Sequence, residues 1–283
     1  MVVFQALTWE ARDTDEEHLI SIFGKTEDGK SVCVTTSFTP YFFIKLQMNT
    51  SSQAVQEIYN VIDKKCPESL VGYSLMKSKD VWGFQNNEEF KFMKLDFINL
   101  QTRRRVDSFL KRPLGLSMGY FKAKVYESNL DPVLRLMHRT GIQSTGWLDS
   151  GDKCVRSHLA KVNIDLFCND WTSLRPIERD DIAPFVVASF DIECNSSTGK
   201  FPDADVHGDA CFQIAISLCR FGSDEPYEKT CLCYKKTEGV NTVSFDTERE
   251  MLEAFHKYIN ERDVDILTGW NIFGFDLEYI YKR

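Results

Sequence analysis

The sequence predicts a mixed α+β protein: a β-rich N-terminal domain over 1–170, a connector over 171–184 and an α/β domain over 185–283. Three observations carry this reading. The chain has 283 residues, more than one ordinary domain and fewer than three. Short apolar or alternating runs dominate before residue 170, whereas longer apolar runs alternate with amphipathic stretches after 185. Between them, Trp171 to Pro184 mixes charge with two prolines and has no periodicity.

In order along the first part, 1–9, 18–23 and 31–36 read as strands, with Asp28-Gly29 as a hairpin turn between the second and third. Residues 40–46 form another strand by β propensity. Val55, Ile58, Tyr59 and Ile62 recur at helical spacing behind Ser51 and Ser52, which predicts a helix over 52–64. Strands follow over 81–84 and 90–97, then a helix over 101–111 ended by Pro113. Asp131 as N-cap, Pro132 at the first helical position and Gly141 past the end bracket a further helix. Residues 161–167 read as a strand.

In the second part, 185–190 is a nearly continuous apolar run, as in a strand buried on both faces. Strands over 211–221 and 230–235 follow. Met251, Leu252, Phe255, Tyr258 and Ile259 then mark a helix over 247–261. A strand over 264–270 and a helix from Phe275 complete the order β-β-β-α-β-α, which resembles the start of an RNase H-like sheet.

Composition excludes several classes. Hydrophobic residues make up 43% and aromatics 13%, too many for a disordered chain. The nine cysteines include no CxxC pair, and Cys231-Leu232-Cys233 is too tight for a zinc knuckle. An odd count, with Cys211 and Cys219 inside apolar runs, predicts reduced thiols in an intracellular compartment. The N-terminus lacks a basic n-region and turns charged at Glu10, and no apolar run spans a bilayer, so no membrane partner is expected. Without a secretion signal, the sequons at Asn49 and Asn195 read as chance. A net charge of −8 argues against coating nucleic acid by bulk electrostatics. Arg103, Arg104, Arg105, Lys111 and Arg112 nevertheless cluster, either as a solvated helix face or as a phosphate-contacting patch.

The chemistry is concentrated in Asp191-Ile192-Glu193 and in Asn271-Ile272-Phe273-Gly274-Phe275-Asp276. Side chains alternate along a strand, so Asp191 and Glu193 share one face with Ile192 turned into the core. Two carboxylates about 7 Å apart repel unless a cation lies between them, and hard oxygen donors suit Mg²⁺ or Mn²⁺. Asp276 follows a strand that could place it opposite Asp191. Alone, Asp-x-Glu at a strand end is usually a solvated turn or a structural ion pair, and Asn271 could be a turn residue and Asp276 a helix N-cap. Their conjunction at strand ends of one plausible fold points to metal-dependent phosphodiester cleavage. Asp203, Asp205, His207 and Asp209 alternate as in a metal loop, but read better as a solvated acidic loop between two strands.

Ser189-Phe-Asp-Ile-Glu-Cys and Thr268-Gly-Trp-Asn-Ile-Phe-Gly-Phe-Asp-Leu-Glu-Tyr resemble the first two exonuclease motifs of family B DNA polymerases. Ser197-Thr-Gly-Lys-Phe-Pro, Gln213-Ile-Ala, Tyr126-Glu-Ser-Asn-Leu-Asp-Pro and Glu178-Arg-Asp-Asp-Ile-Ala-Pro extend the likeness to the delta-type branch, with a flavour similar to large nucleocytoplasmic DNA viruses. The resemblance implies an N-terminal domain followed by a 3′→5′ proofreading exonuclease used in DNA replication. By it, Asp191, Glu193 and Asp276 are catalytic and hold two Mg²⁺ (or Mn²⁺) ions, while Asn271 and Phe275 hold the frayed 3′ end of the primer. Trp270 stands where Tyr is commoner.

Implied partners are primer-template DNA, the remainder of the polymerase and a sliding clamp, in the nucleus or a viral replication compartment. The family's third exonuclease motif, a Tyr and an Asp on a later helix, and its nucleotide-binding polymerase motifs are absent from these 283 residues. The expectation is therefore a weak or inactive nuclease in isolation, with marginal folding over 185–283. The competing expectation is a non-catalytic DNA-binding module or one piece of a split polymerase.

Overall fold

The structure, a computed structural model, describes residues 1–81, 83–117 and 119–283. It divides into two compact units, one of residues 1–24 and 32–179, the other of 25–31 and 180–283.

The first unit begins with β1 (Val3–Asp13), β2 (His18–Lys25), β3 (Ser31–Ser37), β4 (Tyr41–Leu46), α1 (Ser52–Lys65), β5 (Leu70–Ser78) and β6 (Phe90–Phe97). It continues through α2 (Leu100–Leu110), β7 (Leu114–Leu116), β8 (Gly119–Phe121), β9 (Lys124–Tyr126), α3 (Pro132–Thr140), β10 (Trp147–Asp149), β11 (Cys154–Arg156), β12 (Ile164–Cys168) and β13 (Arg175–Ile177). A seven-stranded sheet runs β11-β12-β3-β2-β1-β10-β13, and a four-stranded one β5-β6-β4-β9. On the smaller sheet, Phe42, Ile44, Met93, Leu95 and Phe97 pack against Val55, Ile58 and Ile62 of α1 and Val106 and Leu110 of α2. The expected caps of α3 are present: Asp131 accepts the amides of Val133 and Leu134, and Gly141 closes the helix in the left-handed region at φ 77°.

Some expectations differ from the structure. The expected strand over 81–84 contains Trp82, which lies outside the described residues; Val81, Gly83 and Phe84 belong to no strand. β5 escaped notice because Gly72 interrupts it and its pairing with β6 shifts register there. Within 171–184, Trp171–Ser173 forms a 3₁₀ turn and β13 pairs with β10. Arg103 is not on a solvated helix face: it is buried and donates to the Leu130 carbonyl at 2.7 Å. Arg104, Arg105, Lys111 and Arg112 are exposed.

The second unit holds β14 (Val186–Cys194), β15 (Cys211–Arg220), β16 (Glu228–Tyr234), β17 (Thr242–Phe245), α4 (Glu248–Glu261), β18 (Ile266–Thr268) and α5 (Asp276–Lys282). Its sheet runs β17-β16-β15-β14-β18, with β15 antiparallel to both neighbours and β14–β18 and β16–β17 parallel. The expected element order is present, with the short β17 added. α4 and α5 cover one face: Met251, Phe255, Tyr258 and Tyr279 pack on Val186, Ala188, Phe190, Ile192, Ile214, Ile216 and Leu232. β14 is therefore buried on one face only, not on both. Ala188, Phe190 and Ile192 point inward while Ser189, Asp191 and Glu193 are exposed. Lys25, which belongs to this unit and is buried, is paired with Asp265, whose Oδ2 also accepts the Val186 amide at 2.7 Å. Among the described residues, no helix is long and apolar enough to cross a membrane.

Candidate active site

β14 presents Asp191 and Glu193 on the exposed face of the sheet, as the two-residue period requires. Across the ladder Asp191 faces Ala215 and Glu193 faces Gln213, so no opposing side chain from β15 neutralises either carboxylate. β14 carries on beyond its parallel neighbour, since β18 pairs only with Val187, Ala188 and Ser189. The edge from Phe190 onward is left for a different element.

That element is the turn between β18 and α5. Gly269 passes so close to β14 that a Cβ there would lie 2.4 Å from the Phe190 carbonyl oxygen and 2.5 Å from Ile272 Cγ2. Asn271 then enters the left-handed region at φ 53°, where Asn is tolerated, and its carbonyl accepts the amides of Gly274 at 2.9 Å and Phe275 at 3.1 Å. Ile272 plugs the turn into the core. The chain emerges with Asp276 as the first residue of α5.

Asp276 is 3% exposed, and its Oδ1 accepts the Ile192 amide at 3.2 Å. The side chain thus continues the hydrogen bonding of the β14 edge and does not serve as the N-cap, which is Phe275 without a side-chain bond. Burial raises the Asp276 carboxyl above the ordinary carboxylate range, and the neighbouring negative charge of Asp191 adds to the push.

The structure brings Asp191 and Asp276 together and leaves Glu193 two residues farther along the same face. Among the described residues, no three His, Cys, Asp or Glu side chains draw close enough to hold an ion, so the expected three-carboxylate cluster is not closed. The chemistry of the donors nevertheless fits a hard divalent cation. All are carboxylate oxygens, and a buried carboxyl beside another of like charge is relieved by a cation.

Around this edge stand aromatic side chains, of which the sequence singles out Trp270 and Phe275 but gives no role to Phe201 or Phe273. Trp270 and Phe273 are 90% and 85% exposed. Phe275 lies between Phe201, at 5.0 Å between ring centroids, and Tyr279, at 5.2 Å. Asn271 is exposed on the same turn. Composition and spacing give no signal for Phe201 or Phe273, because what sets them apart is exposure, which only the fold reveals. The acidic loop is not solvated throughout: Asp209 is buried, because Ser197 and Asp203 supply three donors to its carboxylate.

Residues 123–283 match the family described as "DNA polymerase family B, exonuclease domain". A DNA polymerase of Acanthamoeba polyphaga mimivirus is 32% identical over 99% of this chain, which spans 18% of that protein. A DNA polymerase of Paramecium bursaria Chlorella virus NY2A is 28% identical over the whole chain, which spans 31% of it. The DNA polymerase delta catalytic subunit of Schizosaccharomyces pombe is 26% identical over the whole chain, spanning 27% of that subunit. The family B DNA polymerase of Pyrobaculum calidifontis shares the fold over the full chain, with a TM-score of 0.70 at 18% identity and 32% of that structure covered. The second unit is thus RNase H-like, and exonuclease domains of this kind depend on metal. With more than half its length matching that family's exonuclease domain, the chain belongs to the family B DNA polymerases.

Proposed function

We propose that the second unit is the 3′→5′ proofreading site of a replicative DNA-directed DNA polymerase and acts on the 3′ end of the primer. The observation that carries this is Asp276, buried, tied to the Ile192 amide and set beside Asp191. Asp191, Glu193 and Asp276 would hold the ions, with two Mg²⁺ expected and Mn²⁺ able to substitute. When bound, such ions activate a water and stabilise the leaving oxygen of an in-line displacement. The chain's own contribution is position. β14 keeps Asp191 and Glu193 on one face, the Ile192 amide fixes Asp276 at its edge, and Asn271 and Phe275 lie where a frayed 3′ end would be held.

The partners we infer are primer-template DNA, the rest of the polymerase and a sliding clamp. We place the protein in a reducing compartment, the nucleus or a viral replication site, in keeping with nine free cysteines.

Manganese binding to the 283-residue chain, followed by electron paramagnetic resonance, tests the site without requiring turnover. Asp191→Asn and Asp276→Asn are each expected to weaken binding at least about tenfold, by removing a charged ligand of a hard cation. Wild-type affinity in both variants would remove the basis of the proposal. The unclosed cluster favours one other reading, a DNA-binding module without chemistry. That reading predicts metal-independent affinity for single strands, with none of the three carboxylates altering manganese binding.

A further inference from the structure

The loop from Asn195 to Ala210 is built around Asp209, which is 1% exposed. One of its carboxylate oxygens accepts both the amide and the hydroxyl of Ser197, each at 2.6 Å. The other accepts the Asp203 amide at 3.0 Å. The carboxylate therefore draws the ascending and descending halves of the loop together. Gly208 completes the closure, since a Cβ there would lie 2.8 Å from Ser197 Cβ and Oγ. Asn195 pins the base, donating to the Gly208 carbonyl and accepting the Ala210 amide at 2.9 Å. α5 holds the loop from its other side. The Tyr279 hydroxyl donates to the Asp209 carbonyl at 2.8 Å, and Arg283 Nη1 donates to the carbonyls of Ala204 and Val206.

What this scaffold presents is Phe201, 75% exposed and set edge-on against Phe275 at 5.0 Å. So exposed a ring gains little from burial, which leaves the edge contact with Phe275 and the bonds from Asp209 to Ser197 and Asp203, on either side of Phe201 in the chain, to hold it. Phe275 immediately precedes Asp276, which places the aromatic pair at the mouth of the carboxylate edge.

We propose that Asp209 is a positioning residue: by closing the 195–210 loop it fixes Phe201 against Phe275 as a rigid platform on which the unstacked 3′-terminal base of a DNA strand rests. This rests on the exonuclease reading above and adds to it the group that sets the platform. A carboxylate that merely staples the loop would influence melting but not the environment of the bound base.

The test uses the full 283-residue chain and a single-stranded oligodeoxynucleotide carrying 2-aminopurine at its 3′ end, in EDTA so that no cleavage occurs. Phe201→Ala is expected to weaken binding about tenfold, the scale of one base–aromatic stack. Asp209→Ala is expected to do the same, and Asp209→Ala with Phe201→Ala to be no worse than Phe201→Ala alone. At saturation, the 2-aminopurine emission should change in the same direction in both single variants. Ser197→Ala removes one bond to Asp209 and should move emission the same way by a smaller amount, which keeps the test open if Asp209→Ala does not fold. Additive losses, or wild-type emission and affinity in Asp209→Ala or Ser197→Ala despite a lowered melting temperature, would overturn the proposal alone. A wild-type chain that does not bind the probe would overturn the exonuclease reading and this proposal together.

Discussion

Gly269→Ala isolates the turn that delivers Asp276. The added methyl would sit 2.4 Å from the Phe190 carbonyl oxygen and 2.5 Å from Ile272 Cγ2, whereas non-bonded heavy atoms settle at about 3.5 Å. Roughly an ångström must be found on two sides at once. Neither neighbour yields easily, because one is backbone of β14 within the sheet and the other is a buried side chain of the core. Forced overpacking of this kind costs about 1–3 kcal/mol. In a unit of this size each kcal/mol moves the melting temperature by about 4–8 °C. Differential scanning calorimetry should therefore show the second unit of Gly269→Ala melting several degrees lower. Gly72→Ala, with nothing within 4 Å of the added carbon, should leave melting within about a degree. Manganese affinity should fall alongside stability, because the strain lies seven residues before Asp276. A Gly269→Ala protein that melts with wild type would show that the close approach of β18 and β14 does not constrain the turn.

Other substitutions probe the frame around the site. Lys25→Met strands the Asp265 carboxylate, whose side chain is 10% exposed, and should cost about 3–5 kcal/mol by urea unfolding; a loss under about 1 kcal/mol would contradict it. Glu228 is held below its ordinary range chiefly by its hydrogen bond to Arg262, at 2.8 Å from Nη2, so it contributes stability above the unfolded pKa that is lost as pH falls through the folded one. The melting difference between wild type and Glu228→Gln should accordingly be largest above about pH 5 and shrink below about pH 4; a constant difference across that window would contradict it. Among the described residues the Nε of buried Arg103 has no partner, whereas Arg135 donates to the Tyr41 carbonyl at 2.6 Å and to Glu127 at 2.8 Å. Arg103→Met should thus destabilise less than Arg135→Met, by about 1 kcal/mol or more in chemical denaturation, and the reverse order would refute the comparison.

The alternation of Phe190, Asp191, Ile192 and Glu193 was legible because a strand's period is local, and it placed both acids on one face correctly. Helices α3 and α4 were legible for the same kind of reason, through Asp131 and Gly141 in one and the Met251-to-Ile259 stripe in the other. Local pattern fails where partners are distant. Ile192 and Asp276 are 84 residues apart, and nothing in either segment announces that one supplies the other's acceptor. Asp209 read as solvated because its neighbours are Asp203, Asp205 and His207, yet its burial is decided by Ser197, twelve residues back. β17 was missed for want of length: four residues, held by parallel pairing to β16, carry too little periodicity to register.

The edge of β14 explains why an acid at position 276 is both structural and chemical. Where β18 stops at Thr268, the strand still offers a buried amide at Ile192 that must find an acceptor, at a cost of about 1–3 kcal/mol if it does not. Another strand could supply a carbonyl, but only by extending the sheet across the edge beside Asp191. A side chain from a turn satisfies the same amide with one atom and stops there. When that side chain is a carboxylate, the edge also gains a negative charge in an enclosed position, and the charge that meets it is Asp191. The hydrogen bond holds the two acids together against their repulsion, storing an arrangement that a divalent cation would relax. Asn at 276 could keep the bond and lose the charge, while Ala would lose both. The two roles are therefore separable in the same residue, and the fold requires only the first.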